Sequence, residues 1–374
     1  MAKVHIPSAL QPEYYQISPD YVRISMAAAI ELGLKSGQMF RGCKCGCINL
    51  LQNYPEGCYA NCTYCGLARE RPGIPEDNTF IRVNWPLYPT DLVAEKIAEK
   101  DEADGVGRVC IAQVQDHRAY DDLIDMTLRV RRAAPEVPIS ALVSATTLDE
   151  DRLVAIKETG VDIVGVGLDA ASEDVFNRTR GREAKSPHDW DHHWRIVRAA
   201  RRLFGPMKVN CHIIVGLGET DRELVDLFYQ LKAEQIAGYL FSFNPEPGTA
   251  MQHVPRAPIK RWRRIQLVKY LIEEKDLPRE AIVFDEHDNI VEIDAPAIMV
   301  DAAIDSGIPF MTNGCPDRKG ELACNRPYGS YRPGEEFRDY PFKPQADDLV
   351  VIRRQMKLEE VWKKIQELPV AEYD

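Results

Sequence analysis

The chain runs to 374 residues, 45% hydrophobic and 28% charged, enough apolar mass for one large domain with appendages, or for two, which excludes global disorder. A net charge of −11 argues against nucleic acid as a partner, since gripping a phosphate backbone takes a basic footprint; small molecules and proteins are expected instead. No run approaches the roughly 18 apolar residues of a membrane span, and Met1–Pro12 has neither the charged nor the apolar region of a signal peptide, so the expectation is a soluble, cytoplasmic protein with no membrane partner.

In chain order, Asp20–Ser36 carries Ile24, Ala27, Ala28, Ile30, Leu32 and Leu34 and reads as an N-terminal helix. Strand-like runs follow at Cys47–Leu51, Arg108–Val114, Ile139–Val143, Asp162–Gly167, Lys208–Val215 and Gly238–Phe243. Helical patterns fall between them at Thr90–Ala103, Ala119–Ala133, Leu148–Glu158, His188–Leu203 and Asp221–Glu234. Strands apolar on both faces are parallel strands covered by helices, so the fold class is α/β, a partial or complete barrel or a doubly wound sheet. A helix at Ile259–Glu274 and a strand pair about Glu286–Asn289 come next. A Gly-, Pro- and Arg-rich stretch then runs from Asp305 to Pro344, and a last amphipathic helix from about Asp347 to Leu368. The expected organisation is an N-terminal extension (1–42), the α/β body (43–300) and a cysteine-containing tail with its helix (301–374).

The ten cysteines of a chain without an export signal stay reduced, which makes metal ligation the natural alternative to disulfides. After the first strand stands Cys58-Tyr-Ala-Asn-Cys62-Thr-Tyr-Cys65, a C-x3-C-x2-C loop. A closed zinc site takes four protein ligands, usually as two separated pairs, whereas three thiolates in one short loop leave a coordination position open. On an iron–sulfur cubane, that open position is one iron free for a substrate.

The loop, at the head of an α/β series and with the aromatic Tyr64 before its last cysteine, resembles the radical S-adenosylmethionine (SAM) superfamily. The resemblance implies a partial (β/α)6 to full (β/α)8 TIM-like barrel and a [4Fe-4S] cluster on Cys58, Cys62 and Cys65. It also implies that the open iron chelates SAM, whose reductive cleavage releases a 5′-deoxyadenosyl radical for hydrogen abstraction. His212-Ile-Ile-Val-Gly216-Leu-Gly-Glu219 is similar to the family's adenine-contacting segment, with His212 where the pattern often has Gly. Asp169, closing the fourth strand, stands where the family often places a polar residue on the ribose, a task that suits a carboxylate facing two hydroxyl donors; capping of the next helix is its competing role. Ala112-Gln113-Val114-Gln115 replaces the usual glycine-rich element after the second strand.

Asp169-Ala-Ala-Ser-Glu-Asp-Val-Phe-Asn-Arg-Thr-Arg180-Gly, Val215–Thr220 and Pro245-Glu-Pro-Gly248-Thr249 narrow the resemblance to the biotin synthase and lipoyl synthase branch. Among the other cysteines, Cys43, Cys45 and Cys47 enter the first strand, and Cys315 and Cys324 lie in the tail. Cys43 and Cys47 would stand about 13 Å apart at about 3.3 Å per residue of extended chain. Two of these three with Cys315 and Cys324 are therefore expected to hold an auxiliary [4Fe-4S] cluster opposite the SAM loop, with Ser330, in the partial echo Gly329-Ser330-Tyr331-Arg332 of a lipoyl synthase tail, as a further candidate. Cys110 and Cys211, on the second and fifth strands, stand near positions where biotin synthase places ligands of its own second cluster, but the third-strand cysteine has no counterpart in Ile139–Val143, and both read as small buried hydrophobes.

His188, His192 and His193 resemble a metal-gripping cluster but fit a helix start better. Arg256, Lys260, Arg261, Arg263 and Arg264 read as a solvated face or as a dock for an acidic carrier. The tail is similar to that of the two-component lipoyl synthases. What this implies is sulfur insertion into an octanoyl-lysyl group, on a lipoyl domain or a glycine-cleavage H-type protein. A second radical SAM subunit and a ferredoxin or flavodoxin are implied as further partners. A radical rearrangement or cofactor-maturation enzyme, or a non-enzymatic iron–sulfur scaffold, are the rival readings.

Overall fold

The computed structural model describes residues 16–73, 79–80, 83–102, 105–329 and 335–365. Ser330, Tyr331 and Arg332 lie outside the described residues, as do residues 366–368 of the expected last helix.

The expected N-terminal helix is in part a strand. β1 (Tyr21–Ile24) precedes a short helix, α1 (Met26–Glu31), which starts where the Ser25 hydroxyl accepts from Ala28 N. Val22 and Ile24 alternate into the core, while Arg23 Nε donates to Asn53 Oδ1 at 2.6 Å. Strand pairing and burial override the helical spacing of the alanines.

Six parallel strands carry the body: β2 (Cys47–Leu51), β4 (Arg108–Ala112), β5 (Ile139–Val143), β6 (Ile163–Asp169), β7 (Val209–Val215) and β8 (Ala237–Ser242). β1 pairs antiparallel with β2 and with the short β3 (Leu87–Pro89), giving the order β3-β1-β2-β4-β5-β6-β7-β8. Between the strands run α2 (Thr90–Glu102), α3 (Ala119–Ala133), α4 (Glu150–Glu158), α5 (Glu173–Thr179), α6 (Trp190–Phe204) and α7 (Asp221–Ala233), followed by α8 (Ile259–Lys275). The fold is an α/β partial barrel of the (β/α)6 kind. The caps are those that helix starts demand: Asp149 accepts from Arg152 N, Ser172 from Val175 N, Asp189 from His192 N, and Thr220 shares a capping box with Glu223.

Beyond α8, β9 (Ile282–Phe284) and β10 (Ile290–Pro296) form the strand pair, then come α9 (Ala297–Ser306) and α10 (Ala346–Met356). The expected last helix stops at Met356, because Lys357 turns left-handed at φ 44° and β11 (Trp362–Ile365) then pairs in parallel with β10.

The tail forms the floor of the barrel. Arg108, first residue of β4, is 1% exposed; its Nε donates to Pro316 O at 2.7 Å and its two Nη groups to the Asp162 carboxylate at 2.6 and 2.9 Å. Ala323 and Cys324 donate back to Cys315 O, so the tail folds over as a hairpin. Two glycines permit the contact: a Cβ at Gly46 would meet Ala323 O at 2.7 Å, and one at Gly314 would meet Cys324 O at 2.1 Å. Arg108→Met leaves Pro316 O buried without its donor, so the variant should lose about 1–3 kcal/mol of stability; denaturant unfolding measures this, and faster proteolytic nicking within 307–329 should accompany it.

Candidate active site

The Cys58–Cys65 loop leaves the C-terminal end of β2 and is braced on several sides. Tyr59 N donates to Gln115 O beyond β4, Thr63 N to Thr179 O at the end of α5, and Met251 N to Thr63 O. Asn61 Nδ2 reaches Ala184 O at 2.9 Å. Burial pushes the Cys62 thiol up to about 11 and raises Cys58 and Cys65 as well, with the Arg180 cation opposing it at all three. These thiols hold their protons until a metal displaces them.

Tyr64 locks the loop to the barrel. Its hydroxyl donates to Asp169 Oδ2 at 2.5 Å, Arg180 Nη1 donates to the same oxygen at 2.6 Å, and that nitrogen lies 3.6 Å from Cys62 Sγ. Asp169 closes β6 at φ 64°, just past a register shift at Gly167. Capping is not its role, because Ser172 caps α5. The carboxylate faces the cavity beside the cysteines, as the resemblance predicts for a ribose contact. Arg180 Nε is buried without a hydrogen-bond partner, so a second donor sits against the loop. Three thiols in one loop, beside a carboxylate and an arginine with an unspent donor, fit a cluster with SAM bound to it.

The other predicted contacts fare differently. His212 lines the cavity lower down, its ring tilted 4.7 Å from that of Phe241, and burial depresses it to about 3. Gly216 takes φ 115°, a conformation that favours glycine. The Glu219 carboxylate accepts from Gly216 N and Leu217 N at 2.9 and 2.8 Å and pairs with Arg261 at 3.0 Å, with its side chain 0% exposed. Glu219 therefore shapes the turn from within, a correction to its expected place on the cofactor. Gln113 and Gln115, in the place of the glycine-rich element, tie β4 to Ser144, at 2.9 Å to its N and 2.5 Å to its hydroxyl.

At the floor, Cys47 packs with Cys315, Cys324 and Cys110. Cys43 and Cys45 do not join them, which corrects part of the expected ligand set. Cys43 Sγ lies 3.7 Å from Pro341 O and 3.5 Å from Asn325 Nδ2, and Cys45 is buried in the main apolar core with its Sγ 3.2 Å from Cys47 O. The reason is that the strand begins only at Cys47, so the alternation that would face i and i+2 alike does not reach back to them. Cys110, read as a buried hydrophobe, packs beside Cys47 instead of apart from the other cysteines. Its signal is register: Asn49 pairs with Cys110, which puts Cys47, Asn49 and Cys110 on one inward face. Cys211 is fully buried in the core, as read.

One cavity of about 290 Å³ runs from Cys58, Cys62 and Cys65 to Cys110, Cys315 and Cys324, walled by Ala112, Leu142, Ile214, Phe241 and Phe243. The three histidines hold one another's surroundings rather than a metal: His188 Nδ1 meets the Thr146 hydroxyl, His192 Nε2 meets Ala145 O, and His193 Nδ1 meets Asp189 O. The basic patch is paired within the chain, with Arg261, Arg263 and Arg264 toward the interior. Arg261 serves Glu219 and Asp221, Arg263 donates to Arg338 O, Arg264 to Met356 O, Lys260 pairs with Glu360 and Arg256 with Glu335. Lys260 and Arg256 make their pairs at the surface, so the patch is in part the solvated face expected. No helix among the described residues is long and apolar enough to cross a membrane.

The Radical SAM superfamily model matches residues 53–230, the stretch that holds the cysteine loop, Asp169, Arg180 and Gly216. The matched stretch includes the loop at the C-terminal mouth of the barrel, so residues 53–230 are similar to the radical SAM superfamily. Within it, the similarity lies with the biotin synthase branch. Biotin synthase from Geotalea uraniireducens is 24% identical over 225 residues, 59% of this chain and 63% of that protein. Biotin synthase from Syntrophotalea carbinolica is 24% identical over 268 residues, 68% and 76% respectively. An uncharacterized Methanocaldococcus jannaschii protein is 22% identical over 203 residues, 53% of this chain and 50% of that one. The chain thus spans half to under two thirds of the first curated relatives it matches. Among solved structures, methylornithine synthase superposes with a TM-score of 0.48 at 12% identity, over 91% of this chain and 87% of that one.

Asp169→Ala should weaken SAM binding about tenfold or more, the loss of a hydrogen bond to a charged acceptor, as read by calorimetry on anaerobically reconstituted protein with iron content held equal. Acid should also find the buried histidines. Burial depresses His193 to about 3, so the unfolded chain takes up its proton first as pH falls below the ordinary value of about 6.5. Stability from this residue is whole above that value and drains as pH drops toward 3; in His193→Phe the decline measured by Trp fluorescence should be shallower.

Proposed function

We propose that the chain inserts sulfur at an unactivated C–H bond of an octanoyl group carried on a protein lysine, with an auxiliary iron–sulfur cluster as the sulfur source. The observation that carries this reading is the single cavity with a thiol group at each end. A substrate held there lies between a centre that abstracts hydrogen and a store of sulfide. An alkyl C–H has no acidity for a base to exploit, so acid–base catalysis has nothing to work on. When bound, the cluster on Cys58, Cys62 and Cys65 together with SAM supplies hydrogen-atom abstraction.

The chain's own residues do the rest. Tyr64 and Arg180 hold the Asp169 carboxylate at the rim, where it can accept from the ribose hydroxyls. Leu142, Ile214, Phe241 and Phe243 offer an apolar wall to the acyl chain and keep water away from it. The tail's likeness to the two-component lipoyl synthases supports the octanoyl substrate. It also supports a lipoyl domain or glycine-cleavage H-type protein as acyl carrier, a second radical SAM subunit that completes the two insertions, and a ferredoxin or flavodoxin as electron donor.

The test is mass spectrometry of an octanoyl-lysyl peptide after anaerobic incubation with SAM and reductant, with and without the partner subunit. The expected result is a mass gain of one sulfur, C–H becoming C–SH, labelled when the clusters are rebuilt with isotopic sulfide, with turnover stopping near one event per chain. Formation of 5′-deoxyadenosine that never responds to the peptide, even with the partner, would sink the proposal. Repeated turnover with the second cluster intact would point to a rearrangement instead.

A further inference from the structure

We propose that Cys47, Cys110, Cys315 and Cys324 form a four-thiolate cage for a second iron–sulfur cluster, built into the floor of the barrel. This deepens the proposed function by naming where the sulfur source sits, and rests on it only for the presence of a second cluster. The four thiols come from three separate stretches of chain, the first residue of β2, the middle of β4 and the tail hairpin, and they pack in one group together with Ile163 and Tyr239. A chance gathering of small hydrophobes would offer the sulfurs no polar donors. These sulfurs meet donors: Asn49 Nδ2 lies 3.5 Å from Cys47 Sγ and 3.8 Å from Cys324 Sγ, and Asn210 Nδ2 lies 3.7 Å from Cys315 Sγ. Amide N–H groups aimed at sulfur are how proteins orient and tune thiolate ligands.

A cation stands beside the cage. The Arg326 guanidinium lies 4.1 Å over the Phe241 ring, and its Nε and Nη2 are buried without a hydrogen-bond partner. Four thiolates around an iron–sulfur core leave net negative charge in an apolar setting, and a guanidinium with unspent donors compensates it. Four thiolates suit a polynuclear group, in which each holds a different iron.

The construction of the floor has the same purpose. Arg108 and the close contacts at Gly46 and Gly314 fix the hairpin against the strand ends, and that fixes Cys315 and Cys324 opposite Cys47 and Cys110. Cys43 and Cys45, nearer in sequence to Cys47, are left outside.

The test compares two double variants of the anaerobically reconstituted full chain. Cys43→Ala with Cys45→Ala should keep about eight irons per chain, and Cys47→Ala with Cys110→Ala should fall to about four while still binding SAM at its remaining cluster. Where the latter double variant fails to fold, Cys110→Ser serves alone, and the EPR line shape of the second cluster should change. Arg326→Met should lower that cluster's reduction potential without loss of iron. Loss of iron in the Cys43/Cys45 variant with none in the Cys47/Cys110 variant would overturn the assignment. So would a wild-type chain with about four irons, or one zinc held at the cage. Intact iron with no sulfur transferred to the peptide would leave this cage standing and defeat only the proposed reaction.

Discussion

Much of this molecule depends on one buried guanidinium. Arg108 sits at the first position of β4, and its side chain bridges the Asp162 carboxylate before β6 and the Pro316 carbonyl of the tail. Burying an arginine is costly unless its donors are spent. Here three of its nitrogens are spent in two directions, so the strand ends and the hairpin hold one another. Removing either side strands a polar group in the floor. The tail is thus no appendage to the barrel but its closing wall, and the cavity above it has a bottom because Arg108 supplies one.

The upper end is tied by the same logic with different groups. Tyr64, Asp169 and Arg180 come from the cysteine loop, the end of β6 and the end of α5, and they meet on one carboxylate oxygen. The loop that presents Cys58, Cys62 and Cys65 is therefore held to the rim through its own aromatic residue, and Arg180 sets positive charge beside sulfur. Such preorganisation means little has to move when a negatively charged cluster is assembled there.

What could be read in the sequence follows from which physical signals are local. The parallel strands were legible because they are apolar on both faces, and the helix starts because Asp149, Asp189 and Thr220 cap them as the pattern predicts. The triad loop was legible from spacing alone. β1 was not, since its pairing partners lie beyond Leu50 and near Pro89 in the chain, and β11 was not, since Lys357 ends a helix whose amphipathic pattern continues. The auxiliary cysteines fell between these cases. Spacing pointed to Cys47, Cys315 and Cys324, which the structure packs together, but strand register decides which of their neighbours face inward, and register joins residues distant in sequence. Thus the placement of Cys110 beside Cys47, and of Cys43 and Cys45 away from it, was not legible, and Glu219, expected on the cofactor, is the brace of its own turn.

The interior also explains why β6 reads Ile-Val-Gly-Val-Gly-Leu-Asp. A barrel that serves only as scaffold fills its inside with branched side chains, yet the inward positions of β6 are Gly165 and Gly167, and β4 and β5 offer Ala112 and Ser140 to the same cavity. A Cβ at Gly165 would meet Asn210 Oδ1 at 2.8 Å, and one at Gly167 would meet Arg180 Nη2 at 3.3 Å. These glycines make room for the two polar groups that face sulfur, one at each end of the cavity. The stability given up by leaving that space unpacked is recovered outside the strands, where Leu123, Met126, Ile156, Val197, Leu224 and Phe228 are fully buried beneath their helices. The core of this barrel has moved to its outer wall, and its centre is left open for chemistry.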